Sequence, residues 1–132
     1  MKRGIITISE TGTVSVPDVP VWMTLPEIAE MLGVFEYDVR RVIKSVYRNR
    51  ELNEFETMKY MKHSNGISYD VYNLEMVVAI SFKIQSKRSR MLRQFLMRRA
   101  YSGKDSNTIP SVYLVIYKDG SNRQGREKGN WV

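Results

Sequence analysis

The chain has 132 residues, 42% hydrophobic and 27% charged, proportions that exclude wholesale disorder and leave length for one domain with a real hydrophobic core. It has no cysteine, which excludes disulfides and thiolate zinc sites and fits a reducing, cytoplasmic setting. The formal charge of +7 is unevenly spread, because positions 83 to 104 hold eight basic residues and no acidic one, and such a stretch attracts polyanions.

The opening residues lack the apolar run of a signal peptide. Ile6 and Ile8, then Val14 and Val16, flank Glu10-Thr11-Gly12-Thr13, a pattern that predicts a β-hairpin. Pro17 and Pro20 break regular structure. Thr24, Pro26 and Glu27 then predict a capped helix start with proline in the first turn. Leu25, Ile28, Ala29 and Leu32 form its apolar stripe, and Gly33 supplies the exit. A second helix over 36–48 places Val39, Val42, Ile43 and Val46 on one side. Tyr37, Arg41, Lys44 and Arg48 fall on the other, with Arg40 and Tyr47 at the edge.

Farther on, Thr57 to Lys62 and Ile67 to Tyr72 flank His63-Ser64-Asn65-Gly66, predicting a second, wing-like hairpin. Asn73 is the expected N-cap of a buried helix through about Ile84. Its longest apolar run, Met76 to Ile80, is far too short to cross a bilayer. After a break at 86–89 a last helix to about Tyr101 carries Met91, Leu92, Phe95 and Leu96 inward and Arg90, Arg93, Arg98 and Arg99 outward. A polar linker over 103–110, a strand at Val112 to Tyr117 and a mobile polar tail complete the chain. The expected fold class is α+β, a winged or wing-like helix-turn-helix core with an N-terminal hairpin, a central hairpin and a C-terminal strand. Residues 1–20, 21–102 and 103–132 are its three segments within a single globular domain.

The stretch LPEIAEMLGVFEYDVRRVIK, Leu25 to Lys44, resembles the twenty-residue helix-turn-helix pattern of bacterial DNA-binding proteins. Ala29 falls at the close helix approach, Gly33 at the turn, and Ile28, Leu32, Val34, Val39 and Val42 at the apolar positions. The resemblance implies base contacts from Phe35, Glu36, Tyr37, Arg40 and Arg41. It implies DNA backbone contacts from Lys44, Arg48 and the arginine-rich Lys87, Arg88, Arg90, Arg93, Arg98 and Arg99. Phe35 and Glu36 replace the small polar residues more common at the start of a recognition helix. Glu36 suits either a cytosine amino group or the helix dipole, the second more readily.

Over roughly Val21 to Ala100, VWMTLPEIAEMLGV, YDVYNLEMVVAISFKIQSKRSRMLRQFLMRRA and their spacing resemble the N-terminal region of the bacterial RhuM-type virulence-associated proteins, often carried near mobile elements. The SKR segment of that family falls at Ser86, Lys87 and Arg88. The resemblance implies a DNA-binding module and brings no catalytic mechanism. The chain is short for that family, and the 112–117 strand lies outside the resemblance.

An enzyme needs convergent activated groups, and the inventory is thin: one histidine, no cysteine and no glycine-rich phosphate loop. His63 reads as a turn residue. Glu51, Glu54 and Glu56 suit a solvated acidic patch better than a nuclease metal site. The reading is therefore a non-enzymatic, double-stranded DNA-binding regulator that needs no cofactor, metal, small-molecule ligand or membrane. It is expected to be a homodimer, since the apolar 112–117 strand needs a partner edge, either the N-terminal hairpin or another subunit, and paired helices address two half-sites. The alternative is a protein-interaction adaptor that uses the same helices as an assembly surface. RNA is a weaker match, because Tyr37, Tyr47 and Tyr60 lack a base-stacking sheet.

Overall fold

A computed structural model describes residues 2–102, so the expected strand at Val112 to Tyr117 and the tail lie outside the described residues. The chain divides into two compact units, Met1–Arg93 and Gln94–Val132. The described architecture is α+β, with five helices and two small antiparallel sheets. No described helix is long and apolar enough to cross a membrane.

Strands β1 (Thr7–Ile8) and β2 (Val14–Ser15) form the first hairpin, with Ile8 opposite Val14. It is the hairpin expected around 10–13, with Ile6 and Val16 outside the paired residues. Just before it, Gly4 accepts from Trp22 N at 3.0 Å and donates to Pro20 O at 2.9 Å. A Cβ at Gly4 would lie 2.6 Å from Val19 O, so only glycine lets the two backbone segments approach this closely.

The second sheet combines β3 (Trp22–Met23), β4 (Met58–Lys62) and β5 (Ser68–Asn73) in the order β3-β5-β4. Helices α1 (Leu25–Leu32), α2 (Glu36–Arg48) and the short α3 (Glu54–Thr57) lie between β3 and β4 in sequence. Helix α4 (Leu74–Ser81) follows β5 directly, and α5 (Lys87–Tyr101) comes last. Strands β4 and β5 run in register from Met58 opposite Tyr72 to Lys62 opposite Ser68. Their loop is closed by Gly66 N on His63 O and His63 N on Ile67 O, both at 2.9 Å. The core gathers Ile6, Met23, Ile28, Leu32, Val39, Val46, Val71, Met76, Val77, Ile80 and Leu92, each essentially inaccessible to solvent.

Strand β5 runs one residue later than the expected Ile67 to Tyr72, and three other boundaries differ from expectation for local reasons. Asn53 Oδ1 accepts from Phe55 N at 2.8 Å and nucleates α3, so the strand starts at Met58 and not at Thr57. Helix α4 stops at Ser81, whose hydroxyl turns back to Val78 O at 2.7 Å and whose carbonyl accepts from Arg93 Nη1 at 2.6 Å. Helix α5 starts inside the expected break, because Ser86 and Ser89 cap reciprocally. Ser86 Oγ accepts from Ser89 N at 3.0 Å and Ser89 Oγ from Ser86 N at 3.1 Å.

Candidate nucleic-acid interface

The start of α1 is fixed by the expected capping box. Thr24 Oγ1 accepts from Glu27 N at 3.2 Å, and Glu27 Oε1 accepts from Thr24 N at 2.8 Å. The same carboxylate takes both guanidinium nitrogens of Arg3, at 2.8 and 3.0 Å, and Arg3 also donates to Trp22 O at 2.8 Å. Burial pushes the Glu27 carboxyl up, but Arg3 and the Thr24 amide outweigh it and hold the group below the usual carboxylate value. Nothing local in the sequence marked Arg3, which stands 24 positions from Glu27.

The turn into α2 is a Schellman closure, with Gly33 at φ 68, Gly33 N on Glu30 O at 3.2 Å and Val34 N on Ala29 O at 3.0 Å. The segment Ser86 to Arg88 buttresses it. Ser86 Oγ donates to Leu32 O at 2.8 Å, a C-terminal carbonyl of α1, and Arg88 Cδ lies 3.3 Å from where a Cβ of Gly33 would stand. Arg88 Nη1 then donates to Ile8 O at 2.7 Å. The SKR segment thus holds the interhelical turn in place.

Helix α2 has thirteen residues, about 20 Å at 1.5 Å per residue. Val39, Ile43 and Val46 are buried beneath it, while Tyr37, Arg40, Arg41, Lys44 and Arg48 are exposed. At about 100° per residue, Tyr37, Arg41, Lys44 and Arg48 share one side and Arg40 flanks it. Arg41 makes a loose exposed contact to Asp38 at 3.4 Å and lies 5.6 Å from the Tyr37 ring centroid, a pair of little energetic weight. Arg40, Lys44 and Arg48 make no ion pair or side-chain hydrogen bond with any described residue. Phe35 and Glu36 are exposed at the helix start, Phe35 at 80% of its full area.

Tyr47 turns inward. Thr57, fully buried, uses its hydroxyl hydrogen on Asn53 O at 2.8 Å, so the Tyr47 hydroxyl donates to Thr57 Oγ1 at 2.7 Å and ties α2 to the foot of β4.

Of the expected backbone contacts, Arg88 and Arg93 are corrected: both point their guanidinium groups into the protein. Arg93 Nη1 donates to Ser81 O at 2.6 Å, Ser89 Oγ at 3.1 Å and Ile84 O at 3.3 Å, so it closes the carbonyl end of α4. Burial, helped by the charge of Arg90, lowers the Arg93 pKa from its ordinary value. Lys87 and Arg90 remain exposed on the first turns of α5. Arg98 and Arg99, also exposed, belong to the second unit, where Arg99 lies 5.4 Å from the Phe95 ring centroid.

Two other features compete less well. A cleft of about 450 Å³ is lined by Arg3, Glu27, His63, Tyr69, Asp70 and Tyr72. Its charged pair is already mutual, and His63 stacks on Tyr69 with ring centroids 4.3 Å apart. Glu51 pairs with Lys83 at 2.9 Å, leaving Glu54 and Glu56 exposed on α3. Among the described residues no group of three His, Cys, Asp or Glu side chains could hold a metal ion. Comparisons with protein-family models, curated proteins and solved structures find no match to this chain.

Proposed function

We propose that this protein binds double-stranded DNA, using α1 and α2 as a helix-turn-helix and the β4–β5 hairpin as a wing. The supporting observation is the exposed face of α2, where Arg40, Lys44 and Arg48 lack any anionic partner among the described residues while the opposite face is locked into the core. The major groove of B-DNA admits one α-helix, and free cations along that helix gain energy by displacing condensed counterions from phosphates. Arg40 and Arg41 have the fork geometry to grip O6 and N7 of guanine, and Lys44 and Arg48 serve the backbone. In keeping with the RhuM-type resemblance of the sequence, the proposed role is that of a non-enzymatic, cytoplasmic regulator associated with a mobile element, acting as a homodimer on paired half-sites.

Fluorescence anisotropy of the full chain against random duplex DNA, single-stranded DNA and RNA, from about 50 to 200 mM salt, tests the proposal. Preference for duplex with a steep salt slope is the expected result. Absence of binding to all three at the lowest salt overturns it. The adaptor reading then takes its place, favoured by the exposure of Phe35 at 80% and Phe55 at 97%.

A further inference from the structure

Phe35 occupies the N-cap of α2 with extended backbone angles, φ −77 and ψ 150, and its side chain caps nothing. A serine or aspartate in that conformation would satisfy a free amide and add about 1 kcal/mol of stability. Nor does packing compensate, since 80% of the phenylalanine is exposed and it makes no ring contact among the described residues. Natural proteins break such local rules chiefly at functional or strained sites, and the backbone angles of Phe35 are unstrained.

We infer that Phe35 reads the C5 methyl group of a pyrimidine in the major groove, in thymine or in 5-methylcytosine. The inference rests on the proposal that α2 is the recognition helix. Glu36 and Asp38 in the first turn repel phosphate, so the tip addresses base edges while Arg40, Lys44 and Arg48 farther along serve guanine and the backbone. The pyrimidine methyl is the apolar feature that a base edge offers in the major groove. Tyr37, at 65% exposure, is the other aromatic of the tip, but the Arg41 guanidinium lies 5.6 Å from its ring. Phe35 therefore offers the uncovered apolar surface.

The experiment uses the full chain and its Phe35→Ser variant. Selection from two random duplex libraries, one unmodified and one with all cytosines 5-methylated, identifies the preferred duplex. Each pyrimidine of that duplex is then changed singly, thymine to uracil or 5-methylcytosine to cytosine, and binding is measured. Removing one methyl should weaken wild-type binding about four-fold, the equivalent of about 0.8 kcal/mol per buried carbon. Which exchange has the effect identifies the source of the methyl. Phe35→Ser should raise the urea midpoint, which shows that it folds, and bind the methylated and demethylated duplexes alike. Equal wild-type binding to every demethylated duplex, or undiminished methyl discrimination by Phe35→Ser, overturns the inference while leaving α2 as the recognition helix. Failure of the wild type to select any duplex removes both.

Discussion

Arg93 and Lys44 carry the same charge in opposite surroundings. Arg93 gives its guanidinium hydrogens to Ser81 O, Ile84 O and Ser89 Oγ, and hydrogen bonds from a charged donor are worth about 2 kcal/mol net. Arg93→Ala should lower unfolding free energy by about that amount in urea titration and leave the salt slope of the proposed DNA binding unchanged. Lys44, exposed and without an ion pair among the described residues, should do the reverse: Lys44→Ala keeps the urea midpoint and flattens the slope of log K against log salt by about one unit. A shared phenotype for the two variants would contradict this division of labour. Arg41→Ala should cost about 1 to 3 kcal/mol on a preferred duplex and far less on random duplex, since a base contact is worth that much only where its base is present.

At the scale of elements, the Tyr47–Thr57 hydrogen bond joins the recognition-helix candidate to the foot of the hairpin. Tyr47→Phe leaves the buried Thr57 oxygen with one donor fewer and should cost about 1 kcal/mol in urea titration, with circular dichroism unaltered. What the sequence made legible was local. The Thr24–Glu27 box, the Asn73 cap and the alternation of Val39, Ile43 and Val46 against Arg40, Lys44 and Arg48 are all encoded within a few positions. Strand β3 was not legible, because two residues carry no period and become a strand only by pairing with Tyr72 and Asn73. Arg88 and Arg93 were misjudged for a related reason. A helical wheel gives direction but not neighbours, and long side chains bend toward carbonyls that only the tertiary fold brings near. The exposed basic face proposed as the site follows from the helical period of α2, whereas on α5 a run of positive charge hid two residues with structural duties.

For the whole molecule, the Arg3–Glu27 pair fastens the beginning of the chain to the first helix. Glu27 is held below its ordinary pKa, so the stability it contributes is complete above the normal glutamate range near about pH 4.3 and is lost as pH falls through the depressed value. Urea midpoints of wild type and Glu27→Gln should differ at neutral pH and converge on acidification; parallel curves would show that the ion pair contributes nothing. The β3-β5-β4 order has another consequence. Trp22 pairs with Asn73 although α1, α2, α3 and the hairpin all lie between them, so this stretch is a closed ring with β3 as its clasp. Helix caps and the hairpin can form early from nearby residues, whereas the clasp must wait for its two distant ends and bears the entropy of closing the ring. Opening should follow the same logic in reverse, with backbone amides of β3 and β5 exchanging hydrogen for deuterium only as fast as the ring as a whole unfolds. Dislodging α2 from the core then requires undoing a contact made at the far ends of the ring, which gives a thirteen-residue helix a firmness that its own length could not supply.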